Sequence, residues 1–261
     1  MNVPEVSPAT AELLMREAAR INSREFIADD PVQFPRRFTD KRDIEIAGLL
    51  AAIIAWGRRS MICRDAERLM DLMNGEPYVY VREGAFESVA DDRNIHRTLF
   101  GSGLKHFLRG LRRIYAAHGS IDAFAAALGA GEAEAPAWMP AEAIQGEMQA
   151  ANGGVGRSDC LPMNMRTTAL KRFNMALRWF VRDDGIVDMG IWKSIPKSKL
   201  YIPLDVHAGN TARELGLLTR KANDRKSTEE LTAAMRLVCP EDPALLDFAL
   251  FGLGVSGAAL E

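Results

Sequence analysis

Cysteine is scarce in this 261-residue chain: Cys63, Cys160 and Cys239 are odd in number and widely separated. That argues against a disulfide framework, a four-thiolate iron–sulfur cluster and a structural zinc site. The four histidines show neither HxxxH nor HxH spacing, so no metal site is expected. No apolar run approaches the roughly 20 residues that a membrane span needs. The opening MNVPEVSPATAELL lacks the basic-then-apolar pattern of a signal peptide, and a reducing cytoplasm is the expected compartment. GxGxxG, GxxxxGK[ST] and GxSxG are all absent. Gly153-Gly154-Val155-Gly156 follows no strand pattern, which makes it a poor phosphate loop. Strand signals are thin as well. Tyr78–Val81 and Leu200–Ile202 are too short to build a sheet, so the expected class is all-α.

What is present begins with an ordinary globular composition, 48% hydrophobic and 26% charged. The length suits one large domain or two lobes sharing a core. The net charge of −2 conceals an asymmetry: residues 166–226 carry 13 Lys/Arg against 6 Asp/Glu, while the flanking regions are acidic. A local basic block on a near-neutral protein suggests an anionic partner met by one face, with a plain solvated surface as the alternative.

Helical periodicity covers most of the chain. Residues 8–27 read as a helix with Leu13, Leu14, Ala18, Ile21 and Phe26 inward. A proline-bearing connector follows, ending in Thr39 and Asp40, either of which suits a helix cap. Residues 43–56 are so apolar that the helix must be buried on most sides, and Gly57-Arg58-Arg59-Ser60 ends it. Arg58 and Arg59 there suit a phosphate backbone or ordinary ion pairs. Further helices are expected over 61–73, 94–117, 121–128, 229–238 and 244–254, with flexible segments near 129–140 and 150–160.

The most informative stretch runs from Lys171 to Leu217. KRFNMALRWFVR (Lys171–Arg182) carries one apolar face of Phe173, Ala176, Leu177, Phe180 and Val181. Lys171, Met175, Arg178 and Arg182 fall at i, i+4, i+7 and i+11 and line another face. After a basic loop, Asp205 precedes a helical pattern from Val206 to about Gly216, as an N-cap would. Desolvation and neighbouring cations turn a lysine into a nucleophile towards carbonyl-like carbons. A helix N-terminus favours a charged carboxylate, as needed to stabilise positive charge. The plain alternatives are a solvated lysine and a simple helix cap. His207 suits either a core hydrogen bond or a ligand contact, and Lys193, Lys197 and Lys199 suit either phosphates or solvent. Asp247, in the apolar ALLDFALFGLG, must be buried with a partner or face a cavity.

These residues also carry a resemblance. LDVHAGNTARELGL (Leu204–Leu217) resembles the VDTHVxRxxxRLGL segment of the helix-hairpin-helix DNA glycosylases, with Asp205 and His207 on its Asp and His. KRFNMALRWF, 34 residues upstream, is similar to the nucleophile helix of the archaeal 8-oxoguanine DNA glycosylase branch, with Lys171 on the Schiff-base lysine. The whole chain resembles an uncharacterised bacterial family related to that branch. Three departures stand out. Leu161–Met165 (LPMNM) replaces the LPGVG hairpin, Gly57-Arg58 replaces an amide side chain after the buried helix, and Phe251 replaces a pocket tryptophan.

The resemblance implies a two-lobed all-α fold with its active site between lobes. The implied activity is a bifunctional glycosylase and β-elimination lyase for an oxidised purine, 8-oxoguanine above all. Lys171 and Asp205 would be catalytic, and Arg178, Asp247, Phe251, Leu204 and Trp56 would form the base pocket. Arg58, Arg59, Lys193, Lys197, Lys199 and His207 would contact DNA. The implied partner is damaged double-stranded DNA, met by a monomer without a cofactor or a membrane. A non-catalytic DNA-binding protein on the same scaffold is the rival reading. A Schiff-base enzyme of the aldolase type is a second rival, ranked far below the others, since its usual home is an α/β barrel, which so strand-poor a chain does not form.

Overall fold

The computed structural model describes residues 4–136 and 138–256. The fold is all-α: the described residues hold twelve α-helices, several 3₁₀ turns and one short hairpin. They divide into two compact units. The first draws on Met1–Phe26, Asn164–Gly190 and Pro196–Glu261, and the second on Ile27–Met163 and Ile191–Ile195.

The second unit is organised around α3 (Lys41–Ile53), capped by Asp40, whose carboxylate accepts from the Arg42 amide. Every residue from Ile44 to Ile53 is buried, as the unbroken apolar run requires. Glu45 lies within it at 0% exposure, so four donors must satisfy its carboxylate. Oε2 accepts from the Tyr115 hydroxyl and the Ile121 amide, and Oε1 from the Asp122 amide and the Trp192 indole. The short segment Ile191–Ile195 therefore belongs to this unit: Trp192 is held by Glu45, and the Lys193 and Ser194 amides donate to Asp122.

Around α3 pack α4 (Arg59–Leu72) and α5 (Pro77–Glu83). α6 (Gly101–His118) packs on α5, α7 (Ile121–Ala127) and α8 (Met139–Ala151). Tyr78–Val81, a possible strand by composition, lies in α5, because Pro77 presets the helical φ and Asp43 accepts the Tyr78 amide. The helix expected from residue 94 begins only at Gly101. Before it, β1 (Asn94–His96) and β2 (Leu99–Phe100) form a hairpin. Arg97 turns the hairpin at φ +51, and the Asn94 amide side chain donates to its carbonyl. α8 occupies a stretch for which no helix was expected, burying Ala141, Ile144 and Met148. Gly110 allows α6 to approach it closely, since a Cβ there would lie 2.9 Å from the Met148 Cα.

In the first unit α1 (Pro8–Ile21) packs on α12 (Asp247–Ser256), and α12 packs on α10 (Val206–Glu214). The expected single helix over 8–27 is broken at Asn22 and resumes as α2 (Arg24–Ala28), because Asn22 leaves the helical region and donates its side-chain amide to Asp184. Leu14 and Ala18 are buried, while Leu13, Ile21 and Phe26 are half-buried. α9 (Lys171–Val181) has the expected apolar face inside the unit. α11 (Arg225–Val238) begins four residues earlier than its apolar pattern suggests, because Asp224 caps it through the Ser227 amide.

Candidate functional site

Five of the residues singled out by sequence lie at or beside the starts of α9, α10 and α12, all in the first unit. Lys171 opens α9 and Asp205 caps α10, its Oδ1 accepting from the Ala208 amide at 2.9 Å. The other oxygen, Oδ2, lies 3.8 Å from Lys171 Nζ, and the side chains are 28% and 39% exposed. Two groups 34 residues apart thus meet where solvent reaches both.

Behind the pair stands a buried charge network. Arg178, 4% exposed, donates from Nη1 to Asp247 Oδ2 at 2.5 Å and from Nε to Asp188 at 3.3 Å. Its guanidinium also lies over the Phe248 ring, 4.2 Å from the centroid. One turn on, Arg182 bonds both oxygens of Asp242 through Nε, at 2.9 and 3.0 Å, and bonds Asp188 through Nη1. Asp184 lies 3.1 Å from the same nitrogen. Four carboxylates therefore share two guanidiniums.

That excess of negative charge inside the fold sets the protonation. Burial pushes Asp247 up to about 6, and Asp205 adds to the rise, while Arg178 and Lys171 hold it back. Burial also raises Asp188 against the pull of Arg178 and Arg182. For Asp184 burial is outweighed by the Ile186 amide, Arg182 and Asn22, and the group stays below its usual range. Arg182 is held charged: desolvation opposes this, but Asp188, Asp242 and Asp184 prevail.

The second face of α9 is therefore of mixed character. Its first residue is half-exposed, while Arg178 and Arg182 are locked among carboxylates instead of lying open beside Lys171. Asp247 has the buried partner that its apolar setting demanded. Phe251, half-buried on the same helix, stacks edge-on against Phe26 at 5.4 Å between centroids, and Leu204 is buried next to Asp205. His207 is exposed, so it is not a core histidine. Lys197 pairs with Asp183 at 3.3 Å, and Lys199 is half-buried.

Trp56, Arg58, Arg59 and Lys193 belong to the second unit. Arg58, Arg59 and Lys193 are exposed. Trp56 carries the Arg97 guanidinium on its ring at 4.1 Å, and its carbonyl accepts from His96 Nε2 at 3.0 Å. The other ring nitrogen of His96 meets Asp65 at 2.8 Å. Gly57, at φ +110, makes the sharp exit from the buried run that sequence places there.

Sequence reasoning passed over Asp184, Asp188 and Asp242, and also Leu170 and Asn174. Arginines four apart on an otherwise buried helix were the available signal, since they require carboxylates. Leu170 precedes Lys171 at φ +52, and Asn174 holds that turn by donating its amide to the Ala169 carbonyl at 3.0 Å. Among the described residues no group of three His, Cys, Asp or Glu could hold a metal ion, and no helix is long and apolar enough to cross a membrane.

Comparison with known families gives one assignment, over residues 30–256, which include Lys171, Asp205 and the aspartates and arginines of the charge network. The chain belongs to the DUF2400 family. That family is described as a protein of unknown function. No curated protein and no solved structure matches the chain. The chemistry of this DUF2400 protein has therefore to be argued from the site itself.

Proposed function

We propose that the protein is a DNA repair glycosylase and lyase of the helix-hairpin-helix type, acting on an oxidised purine, 8-oxoguanine above all. The observation that carries the reading is the Lys171–Asp205 pair: an amine and a carboxylate 3.8 Å apart, both open to solvent, each at the start of its helix. The two segments that supply them are those in which the sequence resembles that superfamily.

In this reading the damaged nucleotide is turned out of the duplex. The Lys171 amine, in its neutral form, attacks C1′. The C1′–N bond breaks, its electron pair leaves with the base, and the base takes up a proton. Asp205 stabilises the positive charge that develops on the sugar. The sugar ring then opens to a Schiff base on Lys171, which acidifies the C2′ proton, and loss of that proton expels the 3′ phosphate. Arg178, Asp247 and Phe251 contribute to the base pocket, with Leu204 packed beneath Asp205. Arg58, Arg59, Lys193, Lys197, Lys199 and His207 are the proposed further contacts to DNA.

Borohydride trapping tests the chemistry. Wild-type protein should form a covalent adduct with an 8-oxoguanine duplex, and Lys171→Gln should form none; an adduct of equal yield in the variant overturns the assignment. One observation favours the rival reading of a non-catalytic DNA-binding protein, for Asp205 is occupied as a helix cap through one oxygen and as an ion-pair partner through the other. Tight duplex binding with neither adduct nor base release would decide for that rival.

A further inference from the structure

Two basic segments far apart in sequence meet beside Lys171. The first, RTTALKR, runs from Arg166 to Arg172, and the second, RKANDRK, from Arg220 to Lys226. An antiparallel bridge joins Thr168 to Asp224, and the Arg225 amide donates to the Thr167 carbonyl at 2.9 Å. Together the segments hold seven Lys/Arg and one acid, Asp224. That acid is already engaged, capping α11 and pairing with Arg220 at 2.7 Å. Arg166, Lys221 and Lys226 are exposed, and among the described residues none of the three forms an ion pair.

The loop that carries Lys221 is pre-shaped. Arg213 donates to the carbonyls of Arg220, Lys221 and Ala222 and to the Asn223 side chain, at 2.8, 3.0, 3.3 and 2.6 Å. The Ser227 hydroxyl donates to the Ala222 carbonyl as well. On the other segment the Asn164 side chain accepts the Arg166 amide, and the Thr168 hydroxyl donates to the Asn164 carbonyl. Main-chain acceptors on both sides are thus turned inward, and the charged side chains are left outside.

We propose that Arg166, Lys221 and Lys226 form a phosphate-contacting surface for the backbone of a DNA duplex, leading to Lys171. The inference rests on the reading of Lys171 as the residue that meets a nucleotide. Around the bridge, Arg166 lies two residues before Thr168 and Lys171 opens α9 three residues after it, while Lys221 lies three residues before Asp224 and Lys226 two residues after it, in the first turn of α11. Cations carried on two segments to either side of the bridge suit a row of phosphates better than one compact carboxylate, which a single arginine fork would hold.

The test is the salt dependence of duplex binding by the full chain. Replacing the three cations (Arg166→Gln, Lys221→Gln and Lys226→Gln together) should remove about 2.7 from the slope of log affinity against log salt, at ~0.9 per phosphate contact. Wild type should then lose about 40-fold more affinity than the variant between 50 and 200 mM salt. A control with Arg16→Gln and Arg24→Gln, also exposed on the first unit, should keep the wild-type slope. An unchanged slope in the triple variant, an equal loss in the control, or binding to phosphatidylserine vesicles in place of the duplex overturns the proposal. The borohydride adduct, read on the same preparations, separates the two readings. Slope loss without any adduct keeps the surface and sinks the lysine chemistry; an adduct with unchanged slope does the reverse.

Discussion

Asp247→Asn is the sharpest probe of the charge network behind Lys171. Burial raises the Asp247 carboxyl from the ordinary 3.8 to about 6, and its side chain is only 14% exposed. A shift of about two units corresponds to roughly 3 kcal/mol between its two protonation states. The folded chain binds this proton more tightly than the unfolded chain. The stabilisation is therefore complete below the unfolded value, near 4, and lost as pH rises through about 6. Other carboxylates, Asp184 and Asp224 among them, are held low and contribute with the opposite sign, so wild-type stability alone cannot isolate Asp247. The difference between wild type and Asp247→Asn can. Measured by urea unfolding from pH 3 to pH 7.5, wild type should lose about 3 kcal/mol relative to the variant across that range. Breaking a buried pair commonly costs 3–5 kcal/mol because a charge is stranded. Here Arg178 keeps Asp188, and the substitution removes one of four carboxylates facing two guanidiniums, so the loss at neutral pH should be smaller. A difference that stays flat with pH, or that grows in favour of wild type as pH rises, would refute this account of the network.

Two further predictions concern the second unit. Glu45→Gln places an amide nitrogen against two of the four donors that the carboxylate now satisfies, leaving two buried groups in conflict. At about 1–3 kcal/mol for each, the thermal midpoint should fall by several degrees even after the relief of no longer burying a charge. Gly110→Ala drives a methyl group to within 2.9 Å of the Met148 backbone. The α6–α8 contact should loosen at a net cost of about 1–3 kcal/mol by denaturant unfolding, despite alanine's better helix propensity.

Elements with strong local signals were readable from sequence. The buried helix within the apolar run 43–56 (though it stops at Ile53), the period of α9 and the caps at Asp40 and Asp205 appear where residue chemistry puts them. Features decided by tertiary partners were not. Tyr78–Val81 carries strand-favouring residues, yet Pro77 and Asp43 make it helical. Asn94–Phe100 continues the helical periodicity of α6, yet the buried His96–Asp65 contact and the turn at Arg97 make it a hairpin. α8 was obscured by the Ala, Gly, Glu and Pro around its start, although Ala141, Ile144 and Met148 keep helical spacing. At the site, the Lys171–Asp205 pair was legible because an N-cap and a helix start can be recognised locally. Of the four aspartates around Arg178 and Arg182, Asp247 is announced by its apolar setting, whereas Asp184, Asp188 and Asp242 come from two other stretches of chain that no local pattern marks.

The distribution of rigidity around Lys171 bears on how the pair could work. The turn before it is fixed by Asn174 and passes through a left-handed Leu170, a conformation that costs about 1 kcal/mol or more for a non-glycine residue. The far end of α9 is fixed by two buried arginines, and Asp205 is fixed by its own helix. The ion pair itself is the weak member. At 3.8 Å and with both side chains partly exposed, it contributes no more than about 1 kcal/mol. The backbone positions of the two groups are therefore held far more firmly than their mutual contact. In the proposed chemistry the lysine turns from its carboxylate to an electrophile, and the carboxylate stays within reach of the charge that forms. A purely structural ion pair would gain from the opposite arrangement, the burial and close contact by which Arg182 is held between Asp188 and Asp242.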